Sequence, residues 1–390
     1  MHRVRTAVCI IGGGPSGLLL AHLLGRLGID HLILERRRRA HLEARVRAGL
    51  LEEGTVELLQ AAGVAERLDR QGLRHEGLLI RASHDTFRLP FTELTGKAVW
   101  MYGQQELVKD LIRLHLDHGG QLHFSVDDVD VANVDSVGCR VTCRIDDRPV
   151  LIESDFIAGC DGHHGPSRAA VPGALVQEQV HPFAWLGILV EAPPYAEELI
   201  YSAHDRGFAL QSMRSSTVSR LYLQVPADER PDARTDEAIW DELNRRLLDG
   251  EGTLVRGPIL ERIVVRMRAF MVEPVVYRRL FLVGDAAHIV PPSAAKGLNL
   301  AIADAVLLAD AMGAWYSRGS HTLLERYEPT VLRRAWLAQE FSESMTRLMH
   351  TFQGESTLEA EIRRVRLAQL ATATTAARVF AENYVGLTRY

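Results

Sequence analysis

Near the start of the chain the hydrophobic pattern changes period and then changes back. An apolar run, Ala7 to Ile11, gives way to a glycine-rich turn. Leu18, Leu19, Ala21, Leu23, Leu24 and Leu27 then recur at helical spacing, and a second apolar run, His31 to Leu34, ends on Glu35. The pattern predicts strand, turn, helix and strand. Far downstream, Leu280 to Val283 read as a buried strand and Gly284 as a turn. Pro291 and Pro292 mark a loop, and a helix is expected from near Gly297 to about Met312. Between these elements, SDFIAGCDGHHGPSR reads as a strand ending at Asp161 and Gly162.

The middle of the chain follows a different rule. Residues 208 to 214 and 219 to 225 alternate with period two around a short polar turn, as in a hairpin. Pairing about residue 217 sets Arg214 opposite Arg220 and Ser212 opposite Tyr222. One face then carries Phe208, Leu210, Ser212, Arg214, Arg220 and Tyr222, and the other carries Met213, Leu221, Leu223 and Val225. The second face is core. The first holds two arginines among apolar and hydroxyl groups, and the pattern alone leaves open solvated arginines or an anion pocket. Beyond it, 322 to 350 and 356 to 381 are long helical patterns of mixed polarity, suited to an intersubunit surface.

Chemistry enters with the glycines. Gly12, Gly14 and Gly17 have the GxGxxG spacing, in which the first makes a tight turn, the second admits a pyrophosphate and the third lets helix pack on strand. Glu35 stands where an acid meets a ribose hydroxyl. Gly284 and Asp285 repeat a strand-to-turn approach with a carboxylate suited to a polyol, and the following helix start offers free amides.

Composition narrows the picture further. The chain has 390 residues, 47% of them hydrophobic and 24% charged, with a net charge of −5. That is globular material large enough for two domains, without the basic excess of a nucleic-acid binder. The arginines at 36 to 39 read as a solvated face or local anion site. Cys9, Cys139, Cys143 and Cys160 form no CxxC pair, so buried thiols in a reducing cytoplasm are expected and no metal site is. Glycines interrupt the N-terminal apolar stretch, which argues against a signal peptide, and no run reaches the length of a membrane span.

A GxGxxG strand, a mid-chain Asp-Gly and a late Gly-Asp, in that order, resemble the FAD-binding aromatic monooxygenases of class A. The resemblance covers essentially the whole chain and is strongest toward the branch that acts on 4-hydroxybenzoate. It is carried by RVRAGLLEEG at 45 to 54, CDGHHGPSR at 160 to 168, HPFAWLGIL at 181 to 189 and LIYSAHDRGFALQSMRS at 199 to 215. SRLYLQVP at 219 to 226, VRMRAF at 265 to 270, GDAAHIVPPSAAKGLNLA at 284 to 301 and AENYVGL at 381 to 387 complete it.

The fold implied is α/β (α+β): a Rossmann-like FAD-binding domain built from discontinuous segments (1–177, with 268–300 returning to it), a β-rich substrate domain (178–267) and a helical C-terminal region (301–390). The resemblance implies FAD contacts at Gly12, Gly14, Pro15, Ser16, Gly17, Glu35, Arg36, Arg45, Arg47, Gln104, Asp161, Arg220, Asp285, Lys296, Gly297, Leu298 and Asn299. Glu35 would hold the AMP ribose, Asp285 the ribitol, and Leu298 and Asn299 the pyrimidine edge. It implies a substrate pocket of Trp185, Leu199, Tyr201, Leu210, Ser212, Arg214, Tyr222 and Pro292, with Ser212, Arg214 and Tyr222 clamping a carboxylate.

At the far end of a para-substituted ring something must handle a phenol. Its pKa of about 10 means that ionisation near neutral pH costs on the order of 3 kcal/mol. The resemblance assigns this to Tyr201, with Tyr384 and His75 as relay partners. It has Lys296 adding positive field and the Pro292 carbonyl raising the electron density of the ring. Arg36, Arg47, His164 and Arg268 would meet NADPH or NADH, the basic run favouring the 2′-phosphate of NADPH. The implied reaction is hydroxylation of 4-hydroxybenzoate at C3 through a flavin C4a-hydroperoxide, in a homodimer without membrane or nucleic-acid partners.

Two departures from the family's best-known form are Ala294, where that form has a glycine beside the flavin, and the altered segment Arg36 to His41. The competing readings are a sister hydroxylase of 3-hydroxybenzoate, 4-aminobenzoate or 3,4-dihydroxybenzoate, a flavoprotein that only transfers hydride, and a non-catalytic FAD-binding protein.

Overall fold

The computed structural model describes residues 1–45, 49–82, 85–135, 138–248 and 252–386. The opening motif folds as β1 (His2–Ile11), α1 (Pro15–Arg26) and β2 (His31–Leu34), with β1 and β2 parallel. β3 (Arg148–Gly159) lies parallel on the other side of β1. Val8, Cys9 and Ile10 are wholly buried, as expected of a parallel strand covered on both faces. All four cysteines are free and buried, and burial raises the Cys9 and Cys160 thiols above the usual range.

The chain then builds a second, mainly antiparallel sheet from β4 (Leu175–Val190), β5 (Leu199–Ala203), β6 (Ala209–Met213), β7 (Ser219–Pro226) and β8 (Ile259–Glu273). Its strand order is β8, β4, β7, β6, β5, and the strands Leu78–Ala82 and Asp85–Leu89 extend it beyond β5. The boundary expected at 177/178 therefore does not separate the two sheets: Leu78–Ala82 and Asp85–Leu89 join the second, and β4 begins at Leu175. Leu78–Ala82 pairs in parallel with β5, a contact across more than a hundred positions that no local pattern announces.

The hairpin forms with a corrected register. Ser212 faces Arg220 and Leu210 faces Tyr222, two residues away from the expected pairing. The turn is centred one residue earlier than expected, with the Arg214 and Ser215 amides both donating to the Val218 carbonyl. A shift of two preserves the faces, since side chains alternate with period two. Ala209, Leu221, Leu223 and Val225 join one buried cluster, and Phe208, Leu210 and Tyr222 join another.

β9 (Leu280–Leu282) returns to the first sheet beside β3. α2 runs Lys296–Arg318, past the expected end at Met312, and packs on α1. It is long and apolar enough to cross a membrane, and 67% of its most apolar stretch is buried inside the protein. α3 (Thr322–Met349) follows. The last expected helix is two, α4 (Thr357–Thr372) and α5 (Thr374–Val385), broken where Ala373 turns extended.

Register decides where chemistry can gather. Ile11 lies opposite both Gly159 and Leu34, and Gly159 lies opposite Leu282. The carboxyl ends of β1, β2, β3 and β9 are level, so the segments after Ile11, Leu34, Gly159 and Leu282 share one edge, where open α/β sheets bind ligands.

Candidate functional site

At that edge the glycines are required by contact. Gly12 has φ +109°, and a Cβ there would lie 2.2 Å from the Cys160 carbonyl oxygen; at Gly17 it would lie 2.1 Å from the Gly12 oxygen. A Cβ on Gly14 would meet nothing within 4 Å. The chain is thus tight where backbone crosses backbone and open at the start of α1. Pro15 opens that helix and no side chain caps it, so its first amides are free to meet an anion. Glu35 is held in place by the Gly13 amide (2.7 Å) and the Arg37 amide (2.6 Å). Asp161 Oδ2 accepts from the Ser167 amide at 2.8 Å, whereas Oδ1 is buried without a partner and burial raises the acid.

Asp285 is exposed at the end of the late motif. Behind it, Asp304 Oδ2 accepts from the Gly284 amide (3.0 Å) and meets His288 Nε2 (2.8 Å). Burial pulls the His288 imidazole down, but Asp304 outweighs it and the net shift is upward. This pair was missed in the sequence, although an acid within the apolar run of α2 was its signal.

At the start of α2, Lys296 is buried and donates to Glu52 Oε1 (2.6 Å) and the Tyr384 carbonyl (3.0 Å). Burial lowers its ammonium below the usual lysine range, with Glu52 opposing. The Asn299 amide is occupied by the Leu50 and Ala295 carbonyls and the Glu52 amide. The positive field expected from Lys296 is therefore partly cancelled by Glu52, a residue that only the long-range fold brings into play. A Cβ on Gly297 would meet nothing within 4 Å, and Leu298 is part-buried.

The second sheet packs an aromatic cluster against α5. Trp185, Leu199, Tyr201, Phe208, Leu210, Tyr222, Ala294 and Tyr384 belong to one buried cluster. The Tyr201 hydroxyl lies 3.0 Å from that of Tyr384 and donates to the Ser293 carbonyl at 3.1 Å. The Pro292 carbonyl, expected to contact the substrate ring, accepts from the Ala295 amide within its own turn. Burial raises both phenols above the usual tyrosine range. His75 is 1% exposed and both of its ring nitrogens lack a hydrogen-bond partner. Burial lowers its imidazole, and among the described residues no hydrogen bond joins it to Tyr384.

The two arginines of the hairpin differ. Arg220 is buried and donates to Glu261 Oε2 at 2.5 Å, so its charge is met and its guanidinium is directed to that carboxylate. Arg214 donates to Ser212 Oγ (3.2 Å) and the Met213 carbonyl (3.1 Å), its Nε is buried without a partner, and no carboxylate among the described residues pairs with it. Burial holds this guanidinium below the usual arginine range, with nearby Arg220 adding to the effect.

Comparison with known proteins decides the family. Residues 5–375 match the family model of an FAD binding domain. The chain is 43% identical over 392 aligned positions to p-hydroxybenzoate hydroxylase of Acinetobacter baylyi, covering 99% of this chain and 96% of that one. It is 26% identical to a 3-(3-hydroxy-phenyl)propionate/3-hydroxycinnamic acid hydroxylase of a Mycobacterium strain, over 83% of this chain and 56% of that longer protein. Among solved structures, p-nitrophenol 4-monooxygenase of Pseudomonas putida superposes over the whole of both chains with TM-score 0.81 at 18% identity, a likeness of fold. The chain belongs to the FAD-dependent aromatic hydroxylase family.

The residues present fit the FAD of this family. The open space at Gly14 and the uncapped start of α1 suit a pyrophosphate, fixed Glu35 suits a ribose, and the orphaned Oδ1 of Asp161 awaits a donor. Pro15 and Ser16 begin α1, and Gln104 begins the helix Gln104–Asp117. Arg36 and Arg45 are exposed. Of the residues expected to meet the nicotinamide cofactor, Arg47 lies outside the described residues. His164 is exposed, its ring 4.7 Å from that of His163, and Arg268 ion-pairs with Glu178 at 3.1 Å. Arg168, which the sequence reading passed over within GPSR, lies 4.7 Å over the Phe270 ring with Nη1 buried and unpartnered.

Proposed function

We propose that this flavoprotein monooxygenase converts 4-hydroxybenzoate to 3,4-dihydroxybenzoate with NAD(P)H and O2. The observation that carries this is Arg214. A guanidinium drawn out of water without an anion is costly, and a planar fork beside a hydroxyl suits a carboxylate. The identity to p-hydroxybenzoate hydroxylase over nearly the full length of both chains supports the same substrate.

Arg214 and Ser212 bind the benzoate carboxylate, and Tyr222 sits on the same face. Trp185, Leu199, Leu210 and Pro292 exclude water around the ring. The Tyr201 oxygen accepts the substrate's phenolic proton as its own hydroxyl, turned from the Ser293 carbonyl, passes a proton to Tyr384. Burial keeps both tyrosines neutral, so the pair moves a proton without storing charge. The substrate phenolate that results is more nucleophilic at the ring carbon beside the oxygen. His75 continues the relay, and with no direct hydrogen bond from Tyr384 the link requires bridging water. FAD, when bound, supplies hydride acceptance and oxygen activation; the residues described at the nucleotide edge hold it, with Arg220 nearer the flavin than the carboxylate clamp. Arg36, Arg47, His164 and Arg268 meet the nicotinamide cofactor, and the exposed run Arg36 to Arg39 favours NADPH. Exposed Leu358, Ile362, Val365 and Val379 on α4 and α5 support a homodimer, and four free cysteines support a cytoplasmic setting.

The test is NADPH and NADH oxidation, in parallel, with 4-hydroxybenzoate, 3-hydroxybenzoate, 4-aminobenzoate and 3,4-dihydroxybenzoate. The first should stimulate oxidation most and yield 3,4-dihydroxybenzoate. Stronger turnover of another benzoate would reassign the substrate.

A further inference from the structure

One side of the aromatic cluster is held from outside the second sheet, by the end of α3. His350 caps that helix and is fully buried. Its Nδ1 lies 2.8 Å from the Thr346 carbonyl, which only accepts, and its Nε2 lies 2.7 Å from Trp185 Nε1, which only donates. These two partners leave one arrangement: a neutral ring with its proton on Nδ1 and its Nε2 lone pair on the indole. Burial favours the same state, pushing the imidazole down to about 3.

The ring is also part of an aromatic slab. It is 4.5 Å from Phe208 and 4.7 Å from Phe183, and its plane is inclined by 15° to that of Trp185. Trp185 stacks on Phe208 at 5.1 Å and leans on Tyr222 at 5.2 Å. The same stretch of chain is tied to the sheet and to the turn below Tyr201. Gln224 bridges the Thr351 carbonyl (2.6 Å) and the Phe208 amide (2.9 Å), and Thr346 Oγ1 lies 2.8 Å from Ser293 Oγ. The indole has two flat faces and one donor, so the acceptor that catches the donor sets its plane.

We propose that His350 is a positioning residue for hydroxylation: by accepting the Trp185 indole hydrogen bond it fixes the side of the cluster that orients the substrate ring between Arg214 and Tyr201. This role rests on the hydroxybenzoate site proposed above. His350 meets no reacting atom; it acts through Trp185.

The experiment compares wild type with His350→Leu, His350→Gln, Trp185→Phe and the Leu/Phe double variant, each as FAD-loaded protein. Binding of 4-hydroxybenzoate is read from the flavin spectrum, and coupling as 3,4-dihydroxybenzoate formed per NAD(P)H. His350→Leu leaves the indole N–H without an acceptor and should weaken binding roughly ten-fold, about 1.4 kcal/mol, and lower coupling. His350→Gln, whose amide oxygen can accept from the indole, should restore most of both. Phenylalanine at 185 has no N–H to hold, so the double variant should be no worse than Trp185→Phe alone.

Wild-type behaviour of His350→Leu, failure of glutamine to rescue, or additive losses in the double variant would each overturn the positioning role. If His350→Leu does not hold FAD, His350→Asn, with a shorter reach, replaces it in the same cycle. A wild type that neither binds nor hydroxylates 4-hydroxybenzoate overturns the substrate assignment and this role with it. A wild type that does both, matched by His350→Leu, overturns this role alone.

Discussion

Replacing Arg214 with glutamine should move substrate binding and protein stability in opposite directions. Among the described residues the guanidinium is held by Ser212 Oγ and the Met213 carbonyl alone, and Nε has no partner. An unpaired charge in such a place destabilises the fold, by about 1–2 kcal/mol for a residue that is only part-buried. Its removal should therefore raise the thermal midpoint of the ligand-free enzyme by roughly 1–4 °C. The same removal takes away the charge-assisted hydrogen bonds to the substrate carboxylate and should cost about 2–4 kcal/mol of binding. At 1.4 kcal/mol per decade, that is a dissociation constant raised roughly 30- to 1,000-fold. Binding is measured by titrating 4-hydroxybenzoate against the flavin spectrum, and stability by thermal unfolding with FAD in excess. A loss of binding below ten-fold, or a lower midpoint without substrate, would refute the reasoning.

Tyr201→Phe removes the proton acceptor but leaves the carboxylate clamp. Substrate binding should change by less than about ten-fold while hydroxylation falls about 10²- to 10⁴-fold; an unchanged yield of 3,4-dihydroxybenzoate per NAD(P)H would contradict the relay. Gly14→Ala should fold but hold FAD poorly, since its methyl enters open space, whereas Gly17→Ala should fail to accumulate as folded protein because its methyl meets the Gly12 oxygen; flavin content per soluble chain separates the two. His31 and His115, with ring centroids 5.4 Å apart, each have an unpartnered Nε2, and burial lowers both imidazoles below 6.5. Their neutral forms favour the fold, so the stability they contribute is full above about pH 6.5 and is lost as pH falls below it toward their folded values. The urea midpoint should fall between pH 7.5 and 5.5, and fall less in His115→Gln; equal drops in the two proteins would sink this assignment.

What was legible in the sequence was local. The GxGxxG spacing is itself a local signature, although Gly12 is demanded by the distant Cys160 carbonyl and only Gly17 by the nearby Gly12 oxygen; the hairpin's two faces follow from alternation, which a register shift of two leaves intact. What escaped depended on distance along the chain. Leu78–Ala82 pairs with β5, Lys296 meets Glu52, and His350 meets Trp185, none of which leaves a periodic trace. The register slipped because the turn centres on residue 216 instead of 217, and small hydroxyl residues fit several turn types. The orphaned Arg214 lies between the two cases. Alternation put it on the face with Ser212, and only the assembled fold shows that no carboxylate among the described residues pairs with it.

The most direct test of the proposed reaction is oxygen incorporation. Purified FAD-loaded enzyme, NAD(P)H and 4-hydroxybenzoate under ¹⁸O2 should give 3,4-dihydroxybenzoate carrying one ¹⁸O, read by mass spectrometry. Unlabelled product, or NAD(P)H oxidised with hydrogen peroxide as the sole oxygen product, would contradict the account.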